Sequence, residues 1–139
     1  MEQVMHFKLI DIRLKKSFFS LNEEILAEDK EFTIKKELRV GLDRDEKDKN
    51  LIKVAVQVKN EEKESPFNFD LIYEGFFKFE STEEIPDEKI EKISIINCAA
   101  IIFPYLREHL ADLTRRSGLP AFHLPPINFV KVYESQVKK

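Results

Sequence analysis

The chain has 139 residues, of which 23 are basic and 26 acidic, for a formal net charge of −3. This length supports one domain with its own core, so a single domain over residues 1–139 is predicted. The absence of a basic excess argues against nucleic acid as the main partner. One cysteine excludes an internal disulfide and favours a reducing, cytoplasmic compartment. The first residues do not resemble a secretion signal, and the longest apolar run, residues 98–103, is too short for membrane insertion.

Four segments have the alternating hydrophobicity of β-strands. Within residues 5–14, Phe7 and Leu9 share one face whereas Ile12 falls on the other, which predicts a bulge or a strand buried on both sides. The other strands are predicted at residues 32–42, 51–58 and 67–79. Short polar turns connect them, among them seven consecutive charged residues at 43–49, so an antiparallel meander is predicted.

Helical spacing dominates the second half of the chain. Apolar residues recur at three- and four-residue steps from about residue 87 onwards, which predicts a helix. Gly118 suits the C-terminus of this helix, because glycine readily adopts a left-handed backbone conformation. Because proline lacks an amide hydrogen, we expect a discontinuity between Asn97 and Pro104. A last short helix is predicted at about residues 128–136.

Residues 119–129, named here the proline strip, hold three prolines and five large apolar side chains. Proline at these positions precludes helix and ladder pairing, so the strip is predicted to be extended and stiff. Two helices cover at most one face of a sheet, and Ile72 and Phe76 interrupt the polar face of the fourth strand. The surplus of apolar surface predicts self-association or a binding site, unless the strip is simply core.

The sequence contains no convincing catalytic or metal-binding pattern. Its glycines are isolated, so no phosphate-binding loop is predicted, and the loop from Asp43 lacks the glycine and glutamate of a calcium loop. Cys98 and His109 would lie about 16 Å apart along one helix, too far for a nucleophile and its base. We expect Cys98 to be a small buried hydrophobe and His123 a partly exposed polar residue. No enzyme activity, cofactor or metal is predicted.

Several short motifs, in the right order, resemble those of the SecB chaperones. The family has C-P-x-x-L-F-P-Y-A-R-E in its helix, R-G-x-F-P in the following loop and L-x-P-V-N-F in the next turn. This chain has NCAAIIFPYLRE at 97–108, RSGLP at 116–120 and LPPINF at 124–129, with Ala99 and Leu106 as departures. GFF at 75–77 is similar to that family's G-I-F at the end of the fourth strand.

The resemblance implies an α+β fold: a four-stranded antiparallel sheet with a long, broken helix and a short C-terminal helix on one face. It also implies a homo-oligomer, a dimer of dimers formed through sheets and long helices. The implied activity is ATP-independent holding of unfolded polypeptides in apolar grooves, and protein export is the further role that the resemblance implies. By position, the resemblance assigns the client groove to ten residues, each of which has ordinary core or subunit interface as its alternative. They are Leu38, Val40, Leu42, Phe69, Leu71, Tyr73, Phe122, Leu124, Ile127 and Phe129.

Two departures bear on the partner of such a chaperone. Family members that deliver clients to the Sec motor ATPase carry acidic residues near the end of the first strand, where this chain has Lys16 and Ser20. We also expect no flexible tail of the kind that helps to dock the motor, since the sequence stops at Lys139. The resemblance therefore supports holding of clients, whereas both departures count against delivery to a translocase. The alternatives are a dedicated chaperone of one partner such as an antitoxin, an adaptor oligomer whose strip is permanently filled, and a small-molecule or enzymatic domain.

Overall fold

The four strands come first along the chain, and the main helices follow them. The computed structural model describes residues 6–28 and 31–137. Its elements are β1 (His6–Leu21), α1 (Glu23–Leu26), β2 (Glu37–Arg44), β3 (Leu51–Asn60), β4 (Phe67–Glu80), α2 (Asp87–Ile93), a π-helical turn (Ser94–Cys98), α3 (Ala99–Arg116) and α4 (Phe129–Val137). Within the described residues, no helix is both long enough and apolar enough to cross a membrane.

The four strands form one antiparallel sheet in the order β1-β4-β3-β2, so β1 and β2 are its two edges. The predicted fold class is confirmed. The phase change in β1 is explained by register shifts between Leu9 and Asp11 and between Leu14 and Lys16. Each shift inserts one extra residue, which lets a strand of 16 residues follow the twist of β4.

One face of the sheet, named here the helix face, supports the core. Alternate residues of β3, including Val54 and Val56, are 0% exposed and lie under α3. At Gly75 of β4 the helix approaches the strand closely, because a Cβ there would lie 3.0 Å from Cδ1 of Ile102. The buried Cys98 belongs to the same core, as predicted.

The predicted discontinuity between Asn97 and Pro104 is found at the start of that interval, where the π-helical turn ends at Cys98, whereas α3 runs through Pro104 without interruption. Pro104 and Ala100 are both exposed, so the carbonyl that loses its helical partner can be hydrated. The irregularity lies earlier, in the π-helical turn, where the amide of Ala99 donates to the carbonyl of Ser94.

The ends of two predicted strands also differ from the structure. β2 runs from Glu37 to Arg44. It begins later than predicted, because residues 32–36 alternate in hydrophobicity but do not pair with a neighbouring strand. The sequence leaves open whether Phe18, Phe19 and Leu21 extend the first strand or start the next loop, and in the structure β1 continues to Leu21. Residue 5, where the first strand was predicted to begin, lies outside the described residues.

Candidate functional site

The proline strip connects α3 to α4 and is held by one buried hydroxyl. Gly118 ends α3 with a positive φ of 86°, and no helix or strand follows until Phe129. The backbone amide of Phe122 donates to Oγ1 of Thr114 at 2.8 Å. Thr114 is 0% exposed, so this bond fixes the first half of the strip to the inner side of α3.

Burial along the strip alternates between the core and the surface. Leu124 and Phe129 are 1% and 7% exposed, and the ring of Phe129 lies 5.7 Å from that of Phe103. Phe122 and Ile127 are half-buried, and the ring of Phe122 meets that of Phe67 edge-on. The strip is therefore extended and leans on the core while part of its apolar surface remains accessible.

The groove residues assigned on β2 and β4 divide in the same way. Phe69 and Leu71 are 0% exposed, and Val40 is 6% exposed. Leu38, Leu42 and Tyr73 are only partly buried. The second set therefore contributes to the accessible surface, whereas the first set lies beneath it.

A second apolar surface follows β1 and shares Tyr73 with the ten assigned residues. Leu14 is 41% exposed and stands opposite Tyr73 in the ladder. The ring of Tyr73 lies 6.5 Å from that of Tyr105, which is 48% exposed, and Ile101 is exposed one turn earlier on α3. We call Leu14, Tyr73, Ile101 and Tyr105 the β1 patch. The phase change in β1 was its only sequence signal, because a bulged edge strand exposes hydrophobes on both faces.

The opposite edge of the sheet is covered by one side chain. The Gln136 amide of α4 donates to the carbonyl oxygen of Val40 at 2.9 Å and accepts from the Val40 amide at 3.1 Å. Sequence reasoning missed this contact, because a single glutamine on a short amphipathic helix has no distinguishing pattern.

The outer face of the sheet, away from the helices, is organised around buried carboxylates. Glu74 is 1% exposed, and its carboxylate lies 3.0 Å from Nε of Arg13 and 3.4 Å from Nζ of Lys15. Burial by itself raises the pKa of Glu74, but the hydrogen bond from Arg13 and the charges of Lys15 and Lys53 outweigh it and lower the pKa. Lys16, one of the two departures, donates to Asp70 at 2.7 Å. Lys16, which stands where the family has an acidic residue, thus supplies a counter-ion to Asp70 in the sheet.

Cys98 and His109, which the sequence analysis considered as a nucleophile and its base, do not meet in the structure. Burial raises the pKa of the Cys98 thiol to about 12, and one continuous helical run separates it from His109. His109 instead meets Ser17, whose Oγ lies 2.9 Å from Nε2. Within residues 6–28 and 31–137, no cluster of three or more potential metal ligands occurs. An open depression of about 570 Å³ lies beside Lys16 and Phe18.

Comparison with known proteins gives the same assignment as the short motifs. The family model described as "Preprotein translocase subunit SecB" matches residues 3–139. A protein-export protein SecB from Anaplasma phagocytophilum is 36% identical over 90 residues, covering 63% of this chain and 57% of the relative. One from Paracoccus denitrificans is 32% identical over 88 residues, covering 63% and 48%. The chain therefore spans about half the length of the curated relatives that it matches.

Two solved structures share the fold. The SecB-like chaperone of Mycobacterium tuberculosis, in complex with a ChAD peptide from the HigA1 antitoxin, has a TM-score of 0.71 and 19% identity, covering 87% of this chain and 90% of that one. A protein of unknown function from Streptococcus agalactiae has a TM-score of 0.62 and 14% identity, covering 88% and 99%. The family match over nearly the whole length, with the conserved order of strands and helices, places this chain in the SecB family.

Proposed function

We propose that the chain is an ATP-independent holdase that binds unfolded polypeptides through the proline strip and the partly exposed residues of β2. The observation that carries the proposal is the strip itself, which is anchored by Thr114 yet leaves Phe122 and Ile127 accessible. A rigid apolar surface loses little conformational entropy when it binds. Each buried Å² contributes about 25 cal/mol, so many weak contacts hold a chain without reading its sequence. Binding rather than catalysis is the proposed activity.

The experiment measures aggregation of a chemically denatured model client without nucleotide. Equimolar protein is expected to suppress aggregation, and Phe122→Ser with Ile127→Ser is expected to weaken suppression severalfold. His123→Ser is the matched control, because His123 is an exposed polar residue between them. No suppression by the wild-type protein at fourfold excess would refute the holdase function. Equal suppression by all variants would refute the assignment to the strip.

We further propose that the β1 patch joins two copies of the chain, within a dimer of dimers. Leu14, Ile101 and Tyr105 are each more than a third exposed and lie on adjoining elements, which is more apolar surface than a monomer usually leaves together. Light scattering measures the particle mass. Leu14→Glu is expected to lower it, whereas His6→Glu, on the same strand, is expected to leave it unchanged. Equal masses for wild type and Leu14→Glu would refute this interface.

The client pool that the family suggests is unfolded chains in the cytoplasm, held for export. A chaperone dedicated to one partner is the second candidate, because a structure with the same fold holds a peptide from an antitoxin. Suppression tested with several unrelated denatured proteins separates the two. Binding of all of them favours a general holdase, and binding of one favours a dedicated chaperone. Handover to the Sec motor is not part of the proposal, since Lys16 is paired with Asp70 on the outer face.

A further inference from the structure

We infer that the outer edge of β2 is a main-chain binding site for an extended polypeptide, and that Gln136 occupies this site when no client is bound. The inference rests on the proposed holdase function and adds how the client is held. Its starting point is the pair of hydrogen bonds that the Gln136 amide makes with the backbone N–H and C=O of Val40. A primary amide offers the same donor and acceptor as a peptide group, so Gln136 stands where a neighbouring strand would contribute one residue.

The β2 edge has the geometry that strand addition requires. β2 pairs with β3 in continuous register from Glu37 to Arg44, without a bulge, and this stretch contains no proline. Backbone groups of a strand point alternately to its two sides, so those of Leu38 and Leu42 point to the same outer edge as those of Val40. Three successive outward residues therefore form one short ladder of donors and acceptors, with Gln136 at its centre.

The charges that usually protect an edge are turned away from this one. Glu37 and Arg39 bond to each other at 2.7 Å, and both belong to the phase of β2 that faces away from the helices. The outward backbone groups instead belong to Leu38, Val40 and Leu42, whose side chains are on the helix face. An added strand would continue that apolar row while its backbone bonds to β2. Edges without such protection readily accept another strand.

An unfolded polypeptide is the occupant that fits these features. Main-chain hydrogen bonds are the same for every sequence, which suits a holdase, whereas the leucines and valine beside them select apolar residues at alternate positions. Gln136 projects from α4, which begins where the proline strip ends. A client on the edge would thus lie next to the partly exposed apolar surface already proposed to bind it.

The first test removes the competing amide. Gln136→Met keeps the length of the side chain and its helix propensity but loses both hydrogen bonds to Val40. The probe is a fluorescent synthetic peptide with apolar residues at alternate positions. Because the peptide no longer has to displace two hydrogen bonds, it is expected to bind the variant about fivefold more tightly. Ser135→Ala, an exposed neighbour on α4, is the control and is expected to bind as wild type does.

The second test asks whether the peptide binds through its backbone. N-methylation of its alternate residues is introduced in one phase or in the other. A strand bonds to its neighbour through one phase only, so one methylated peptide is expected to bind at least about tenfold more weakly and the other to bind as the parent does. Hydrogen exchange of the Val40 amide is expected to accelerate in Gln136→Met and to slow again when the parent peptide is added.

Equal affinities of wild type and Gln136→Met, or equal effects of both methylation phases, would overturn the inference while leaving the holdase function intact. A rise in particle mass of Gln136→Met without peptide would also overturn it, because the edge would then accept a second copy of the chain. If the peptide binds neither protein, the same two proteins are compared in the aggregation assay. Stronger suppression by Gln136→Met then supports the inference, equal suppression overturns it, and no suppression by either refutes the holdase function itself.

Discussion

Gly75→Ala tests how closely α3 is packed on the sheet. An added Cβ would lie 2.8 Å from Cε2 of Phe77 and 3.0 Å from Cδ1 of Ile102. Carbon atoms in contact are about 3.5–4.0 Å apart, so one neighbour must move by roughly 0.7 Å. Both neighbours are 0% exposed and belong to the core, where side chains are closely packed. The new methyl group therefore pushes α3 away from β4.

Overpacking of this kind costs about 1–3 kcal/mol, and the stiffer unfolded chain offsets about 0.4–1 kcal/mol. We expect a net loss of about 1–2 kcal/mol in the free energy of unfolding. For a chain of this length that lowers the Tm by about 3–8 °C, measured by circular dichroism at a fixed protein concentration.

A second substitution separates overpacking from a general loss of stability. Ile102→Val removes Cδ1, so alone it should cost about 0.5–1.5 kcal/mol by leaving a cavity. In the Gly75→Ala background the same change should cost less or restore stability, because the new methyl group fills that space. A Tm for Gly75→Ala equal to or above that of the wild type, or strictly additive effects in the double variant, would refute the packing argument.

Three further outcomes follow from buried polar groups and the thiol. Thr114→Val leaves the Phe122 amide without its acceptor, so proteolytic cleavage within residues 119–128 should accelerate, whereas Ser117→Ala, which loses only a bond to its own helix, should not change it. Glu74→Gln should lower the free energy of unfolding by about 1–3 kcal/mol at neutral pH. The pKa of Glu74 is lower in the folded than in the unfolded chain, so its carboxylate stabilises the fold above the unfolded pKa of about 4.3. This stabilisation is lost as the pH falls through the folded pKa. Urea midpoints for wild type and Glu74→Gln should therefore converge in acid. Cys98 should react with a thiol reagent only after denaturation, because burial raises its pKa to about 12, and labelling of the native protein would contradict this.

The strands could be predicted from their alternation of apolar and polar residues, because helices cover one face of the sheet. In β3 the alternation is unbroken, and Val54 and Val56 are fully buried as their phase requires. The same rule misplaced the start of β2, since residues 32–36 also alternate but form no ladder. Alternation reports which side chains seek the core, whereas pairing depends on whether a neighbouring strand is there to receive the backbone.

Pro104 shows a different limit. The sequence predicts a break from the missing amide hydrogen, but the cost of that hydrogen depends on whether the orphaned carbonyl reaches water. Here Ala100 and Pro104 are both exposed residues, so water can reach this part of α3 and the helix continues. Exposure of one backbone oxygen is a property of the assembled fold, and no local pattern contains it.

The sequence pointed to the proline strip, but which of its residues are exposed also depends on the assembled fold. Spacing and resemblance both led to the strip, yet Phe122 and Leu124 differ in exposure although they are two residues apart. The difference arises because Thr114 fixes the amide of Phe122, which sets how the strip turns over α3. A contact between residues eight apart across a turn is not visible in hydrophobic periodicity.

The two edges of the sheet are protected in different ways, by bulges in β1 and by a side chain at β2. They can therefore accept different kinds of partner. β1 is bulged twice, and bulges twist an edge away from regular pairing. Its exposed hydrophobes, such as Leu14 and Phe18, therefore favour contact through side chains, as in the proposed interface between copies. β2 has a continuous register and its edge is occupied at Val40 by the Gln136 amide, so removing two hydrogen bonds exposes the backbone of Val40. A chaperone that binds many sequences gains most from backbone recognition, and the straight edge is the one that offers it.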